Sequence, residues 1–141
     1  MKIFETGELI GKSSRLLTNS LSKNLLLSKT GITSEQWIIL QILSRGSKNQ
    51  KELTEITLKT KATINSLVSY LLKSELISKH KLTVDNRKVI LSISKKGINI
   101  IKKTNNNALE SIKQATNDFS EKEISELNKY LSRIITNINN E

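Results

Sequence analysis

Hydrophobic residues recur along most of the chain at the three- and four-residue spacing of an amphipathic α-helix. Six segments show this spacing. Between residues 76 and 94 the spacing changes to the two-residue alternation that is typical of strands. The pattern therefore predicts the order helix, helix, short helix, helix, two-stranded hairpin, long helix, helix, which is a mainly α fold with a small β-hairpin.

Capping residues mark where most of these helices begin. Thr33, Asn49 and Ser120 each precede a Gln or Glu at the third helical position, which is the capping-box pattern. Thr60 and Ser94 stand at two further helix starts without that partner. These caps give each helix a defined first turn.

The fourth helix divides into two contrasting faces. Its apolar face has the spacing i, i+3, i+4, i+7 and consists of Ile64, Leu67, Val68 and Leu71. Its opposite face is small and polar, and it carries no acidic residue before Glu75. That face consists of Lys61, Ala62, Thr63, Asn65, Ser66, Ser69 and Tyr70. A helix on the surface of a bundle is the alternative, but its wet face usually mixes Glu with Lys.

The neighbours of this helix indicate a winged helix-turn-helix. The short helix before it has Leu53 and Ile56 on its predicted inward face, and a tight turn joins the two. After it, residues 77–81 and 88–93 predict two strands around a tip at residues 82–87. A short helix, a turn, a second helix and a hairpin form the winged helix-turn-helix motif.

This motif predicts two kinds of contact with double-stranded DNA. The second helix enters the major groove, where Lys61, Ala62, Thr63, Asn65, Ser66 and Ser69 reach base edges or phosphates. Arg87 at the wing tip enters the minor groove, and Asp85 holds it by a charge-assisted hydrogen bond. The remaining wing residues predicted to contact DNA are Lys79, Lys81, Asn86 and Lys88. The alternative for the tip is a solvated loop with an incidental ion pair.

The distribution of charge supports a polyanionic partner. The net charge is +10. Residues 45–96 hold twelve Lys and Arg against four acids, giving +8, whereas residues 1–44 give +2 and residues 97–141 give zero. A localised basic region is what phosphate neutralisation requires.

Several function classes are disfavoured by what the sequence lacks. The chain has no Cys and no Pro, and His80 is its only histidine. Disulfides and thiol nucleophiles are thereby excluded, and a multi-histidine metal site within one subunit is disfavoured. No Gly-rich phosphate loop or pair of catalytic acids is found, so we expect no enzymatic activity and no cofactor. No apolar run has membrane-spanning length, and the acidic first residues do not resemble a signal peptide. We therefore expect a soluble, cytoplasmic protein with no membrane partner.

The first and last helices carry apolar stripes that a small monomer would leave exposed. Buried in a two-fold interface, these stripes would set two recognition helices about one DNA turn, ~34 Å, apart. We expect residues 1–30 and 98–141 to form this dimerisation region and residues 33–97 to form the DNA-binding lobe. The predicted interface consists of Leu9, Ile10, Leu16, Leu17, Leu127, Leu131, Ile134, Ile135 and Ile138.

Two stretches of the chain, 52–77 and 85–97, resemble the MarR family of transcriptional regulators. The most specific part is an Asp85-x-Arg87 wing, followed by a strand and the helix start Ser94-x-x-Gly97. Three features depart from the family pattern. Glu75 stands where the family usually has Gly, Asn86 replaces a frequent Arg, and the wing residues 82–84 are less polar.

The resemblance, which extends over essentially the whole chain, implies a homodimer on a pseudo-palindromic operator. Such a dimer often represses genes, and small aromatic or anionic effectors lower its affinity for DNA. Candidate effector-binding residues are Arg15 on the first helix and Trp37 on the second, although the position of Trp37 also suits the core. Two other function classes stay open, which are a winged-helix module that binds protein without specific DNA binding and a small-molecule-binding enzyme.

Overall fold

The computed structural model describes residues 1–81 and 88–140, and its elements follow the predicted order. The helices are α1 (Lys2–Leu27), α2 (Ser34–Ser44), α3 (Gln50–Thr57), α4 (Lys61–Lys73), α5 (Lys95–Ala115) and α6 (Glu121–Asn139). The strands β1 (Ile77–Lys81) and β2 (Val89–Ile93) pair antiparallel between α4 and α5. The mainly α fold with a small hairpin is thus confirmed.

The predicted helix caps are also confirmed. The Thr33 hydroxyl accepts the backbone N–H of Gln36 at 3.2 Å, and the Gln36 side chain accepts the Thr33 N–H at 3.1 Å. Asn49 and Ser120 form the same reciprocal capping box on α3 and α6. On α6 the Ser120 backbone N–H donates to the Glu123 carboxylate, which lowers the pKa of that carboxyl below 4.5. These bonds satisfy backbone donors that have no partner inside the helix.

The hydrophobic core is built mainly within the winged-helix lobe. α2 lies at its centre and packs against α4, α5 and β2, while α3 packs on α4 and β2. Every buried hydrophobic side chain of the described residues lies between positions 25 and 91. Those less than 2% exposed are Leu25, Ile39, Leu40, Leu53, Ile64, Leu71 and Leu91.

The connection from α4 to β1 explains an unusual residue. The N–H of Leu76 donates to the Leu71 carbonyl, and that of Glu75 donates to the Leu72 carbonyl, which is the Schellman pattern. This geometry holds Glu75 at a φ of 61°, in the left-handed region that glycine adopts without strain. The departure noted at Glu75 therefore has a conformational cost.

A close backbone approach explains Gly97 in the first turn of α5. A Cβ built on Gly97 would lie 2.2 Å from the Leu76 carbonyl oxygen and 2.7 Å from Cγ1 of Ile93. Ser94 caps this helix, and its hydroxyl also donates to the Glu75 carbonyl at 2.7 Å. The Ser94-x-x-Gly97 start therefore places the first turn of α5 directly against the segment that follows α4.

The wing has an additional strand-like partner that the sequence pattern did not reveal. Lys48, in the loop between α2 and α3, forms two backbone hydrogen bonds with Leu91 of β2, at 3.1 and 2.8 Å. The hydroxyls of Ser47 and Ser92 also bond at 2.6 Å. The hairpin is therefore anchored to the chain immediately before α3.

The prediction that Ile56 faces inward is wrong. Leu53 is fully buried, but Ile56 is 50% exposed. α3 has only eight residues, and its inner face runs through Leu53 and the half-buried Thr57. Ile56 lies at the edge of that face, because a residue three positions after Leu53 is rotated about 60° from it around the helix axis.

The outer helices bury much less. Leu25 is the one buried residue of α1, and α6 has none. α1 packs along α5, where the Asn24 side chain donates to the Ser111 hydroxyl at 2.8 Å. Among the described residues, none of the helices combines the length with the hydropathy that a membrane span requires.

Candidate nucleic-acid interface

α4 presents its small-polar face to solvent and its apolar face to the core. Ile64, Val68 and Leu71 are buried on the inner side. Five of the six residues predicted to read or contact DNA from this helix are exposed, namely Lys61, Ala62, Asn65, Ser66 and Ser69. The structure therefore brings these predicted contact residues together on one accessible surface.

Thr63 differs from the other predicted contact residues, because it takes part in capping α4. Its backbone N–H donates to the Thr60 hydroxyl at 3.1 Å, and the Thr60 hydroxyl donates to the Thr63 hydroxyl at 2.9 Å. Thr63 is also half-buried. Its hydroxyl keeps one hydrogen to donate and one lone pair to accept with, close to the helix start.

A groove of about 490 Å³ lies between α3 and α4, and sequence reasoning identified only part of it. α4 contributes the predicted residues Lys61 and Asn65. α3 contributes Gln50, Lys51 and Thr54, which the sequence analysis missed. Their spacing places them within one turn at the start of α3, and the turn of the motif brings that start against α4.

The charges around this groove favour an anionic partner. Lys51 and Lys61 are exposed, and neither has an acidic partner within 4 Å among the described residues. Lys59 in the turn is instead held by Glu35 of α2, with 3.3 Å between ammonium nitrogen and carboxylate oxygen. The first turn of α4 contains no acid, so its exposed amides and helix dipole add to the positive potential.

The described part of the wing carries all three of the lysines predicted to contact DNA from it. Lys79 and Lys81 alternate along β1 and pair with Leu91 and Val89 of β2, so both lie on one face of the hairpin. Lys79, Lys81 and Lys88 are all exposed. The other predicted wing residues, Asp85, Asn86 and Arg87, lie outside the described residues.

The two candidate effector residues lie on different helices. Arg15 is exposed on α1. Trp37 of α2 is half-buried, and its indole N–H donates to the Thr104 hydroxyl of α5 at 3.0 Å. Neither residue lines the groove between α3 and α4 or a smaller cavity of about 260 Å³ between α1 and α2.

The residues predicted for dimerisation remain accessible in the single subunit. Seven of the nine are exposed, with values from 36% for Leu127 to 64% for Ile138. Leu17 and Ile134 are half-buried. The apolar stripes of α1 and α6 therefore have no complete cover within the described part of the subunit.

Comparison with known families decides what kind of protein carries this fold. The model of the family described as transcriptional regulator SarA/Rot matches residues 21–104, which is more than half of the chain. The chain belongs to the SarA/Rot family. It is therefore a transcriptional regulator of the winged-helix type and not an enzyme. A search of curated protein sequences found no match.

Solved structures of MarR-type regulators share the fold of this SarA/Rot member over nearly its whole length. A MarR variant from E. coli in complex with operator DNA is 17% identical, with a TM-score of 0.81, covering 94% of this chain and 95% of the other. AbsC, a MarR family regulator from Streptomyces coelicolor, is 20% identical, with a TM-score of 0.83 and coverages of 96% and 93%. The MarR resemblance is thus confirmed.

A third similar structure was solved with a small molecule. It is the organohalide-sensing regulator RdhR in its 2,4-dichlorophenol-bound form. It is 19% identical to this chain, with a TM-score of 0.79, and the match covers 97% of this chain and 81% of the other. At this level of identity the similarity shows a common fold.

Proposed function

We propose that this SarA/Rot member is a sequence-specific, double-stranded-DNA-binding repressor that acts as a homodimer on a pseudo-palindromic operator. In this proposal α4 lies in the major groove of each half-site. The wing lies along the flanking backbone, and its tip residues Asp85, Asn86 and Arg87 reach the minor groove. The role of these three rests on their sequence pattern alone.

The exposed face of α4 is the observation that carries the proposal. It combines hydrogen-bonding side chains of Asn65 and Ser66 with the cation of Lys61 and contains no acid. Asn pairs with adenine, and Ser and Thr pair with several base edges, so such a face suits base reading. The E. coli MarR variant, which shares the fold, was solved in complex with operator DNA, and this supports DNA as the partner.

The lysines around this face supply contacts to phosphates. Lys51 and Lys61 flank the groove between α3 and α4, and Lys79, Lys81 and Lys88 lie on the wing. Phosphate contacts fix the position of a protein on DNA and carry no sequence information directly. We therefore assign affinity mainly to these lysines and specificity mainly to α4.

Homodimerisation is proposed from the apolar stripes of α1 and α6. A large exposed apolar patch on a soluble protein marks an interaction surface. Two copies joined through these stripes would bury them and present two α4 helices to one face of the duplex. Because α6 has no buried residue in the single subunit, a second copy supplies the missing cover.

A small aromatic or anionic effector that releases the DNA is the final part of the proposal. Trp37 and Arg15 are its candidate contacts. The hydrogen bond from Trp37 to Thr104 links α2 to α5. A ligand that displaced it would therefore act between the DNA-binding lobe and the dimerisation helices. The dichlorophenol-bound RdhR structure supports the choice of ligand class.

Binding to duplex DNA at several salt concentrations tests the proposal. If the five lysines named in each subunit contact phosphates, ten in the dimer, the logarithm of the association constant should fall with the logarithm of salt at a slope of about −9. Asn65→Ala should cost about 1–3 kcal/mol on the operator and little on random DNA. Lys61→Ala should weaken both, and it serves as the matched control. A flat salt response would contradict the proposal.

A further inference from the structure

Asn65, the best-placed base-reading residue of α4, is not free to orient by itself. The Gln50 side chain, at the first position of α3, donates a hydrogen bond from Nε2 to Asn65 Oδ1. Asn65 is exposed and Gln50 is half-buried, and both line the groove between α3 and α4. A residue of α3 thus contacts the α4 side chain that we propose to read a base.

The backbone beneath Gln50 is held on both sides. Asn49, the residue before it, caps α3 by accepting the Glu52 N–H at 2.8 Å, and the Glu52 carboxylate accepts the Asn49 N–H at 3.0 Å. One residue further back, Lys48 forms its two backbone bonds with Leu91 of the wing. On the other side, the Thr54 hydroxyl bonds the Gln50 carbonyl at 3.1 Å. Gln50 therefore starts from a fixed position.

In the structure Gln50 donates to Asn65, so Oδ1 is the acceptor of this pair and Nδ2 is left for other partners. A side-chain amide that is free can rotate about its terminal bond and exchange its oxygen and nitrogen. With one lone pair of Oδ1 accepting from Gln50, the amide keeps one lone pair and both Nδ2 hydrogens. These remaining groups match adenine, whose major-groove edge offers the N6 donor and the N7 acceptor.

We propose that Gln50 is a positioning residue that holds Asn65 for bidentate recognition of adenine. This inference rests on the proposed DNA-binding function and adds one residue and one base preference to it. Gln50 acts through Asn65 and needs no contact with the base itself. Its loss would let the Asn65 amide rotate and turn Nδ2 towards other acceptors, including N7 and O6 of guanine, so discrimination would fall more than affinity.

The experiment compares the base preference of four proteins on the operator that wild type selects from a random DNA pool. These are wild type, Gln50→Met, Asn65→Ala and the double variant. Met keeps the length of the Gln side chain and removes its hydrogen-bonding groups. At one base pair in each half-site, wild type should favour A·T. Gln50→Met should reduce that preference about fivefold, in line with one hydrogen bond. In the Asn65→Ala background, Gln50→Met should change nothing.

Lys51→Met is the matched control, because it removes a long polar side chain next to Gln50 without touching Asn65. It should weaken binding to all sequences equally and leave each base preference unchanged. Thermal unfolding of Gln50→Met should match wild type, since a purely structural role would appear there instead. If Gln50→Met keeps the full A·T preference, or changes it equally without Asn65, the inference is wrong. If wild type selects no motif, the proposed function itself fails.

Discussion

The winged-helix lobe and the terminal helices solve the problem of burying apolar surface in opposite ways. The lobe, residues 33–97, encloses Ile39, Leu40 and Ile64 at zero exposure. α6 is amphipathic but buries none of its residues, and Ile135 and Ile138 are 60% and 64% exposed. The lobe therefore contains most of the core, whereas the apolar face of α6 stays uncovered within the described part of the subunit.

Charge follows the same division. The lobe region carries most of the net positive charge, and the segment from residue 97 onward is neutral. A basic surface suits DNA, and a neutral apolar one suits a second copy of the chain, because like charges would repel across a two-fold axis. This difference supports the proposal that the lobe binds DNA and that the last helices bind a second copy.

The largest effect should follow from placing a charge in the core of the lobe. Ile64→Asp buries a carboxylate where the native side chain has no exposure, and it should destabilise the fold by about 4 kcal/mol or more. Chemical denaturation measures this loss. Ser69→Asp, on the exposed side of the same helix, should fold normally and lose DNA binding. Equal damage from both variants would refute the two-faced description of α4.

A charge on the apolar face of α6 should leave the lobe folded and separate the subunits. Leu131→Glu should weaken dimerisation about 30-fold, the effect of one central interface residue. Sedimentation across a range of protein concentrations measures it, with circular dichroism as the check on folding. Lys129→Glu, on the opposite side of α6 by helical periodicity, is the matched control and should leave the dimer intact. Unchanged association of Leu131→Glu would remove α6 from the interface.

Adding one methyl group should change stability in opposite directions in the tightly packed lobe and on the exposed first helix. Gly97→Ala forces a Cβ against the Leu76 carbonyl and should destabilise by about 1–3 kcal/mol. Gly7→Ala on α1 meets no atom within 4 Å and should stabilise by about 0.5–1 kcal/mol. Thermal unfolding of the two variants compares them directly. Equal shifts in the two variants would contradict the close approach at Gly97.

The smallest expected effect is a gain in stability. Glu75→Gly removes a side chain from a left-handed position and should stabilise the lobe by about 1 kcal/mol. Glu55→Gly replaces an exposed glutamate inside α3 and should cost about 1 kcal/mol, because the helical backbone there gains nothing from glycine. The denaturation midpoints of the two variants should therefore move in opposite directions. A loss of stability in Glu75→Gly would show that its side chain contributes more than the strain costs.

Most of the fold was predictable because local signals agree with the tertiary structure. The capping boxes at Thr33, Asn49 and Ser120 each begin a helix where predicted. The bridge from Lys48 to Leu91 was not predictable, because backbone pairing between a loop and a strand leaves no side-chain pattern. Ile56 was predicted inward because a short helix offers too few positions to define its inner face.

The candidate site divides in the same way. The exposed face of α4 follows from helical period alone, since one apolar stripe fixes where Asn65 and Ser69 point. Gln50 and Lys51 were missed because they lie on α3, and only the turn between α3 and α4 brings them next to Asn65. The angle of that turn depends on Leu58, a non-glycine residue at a φ of 57°, which sequence patterns do not predict.

Selection of bound duplexes from a random pool, with purified full-length chain, tests the central claim most directly. Two copies of α4 delivered by one dimer should enrich a two-fold symmetric motif whose half-sites lie about 10 base pairs apart. Recovery of that motif would support both the reading helix and the dimer. An unenriched pool, or a single half-site without symmetry, would contradict the account.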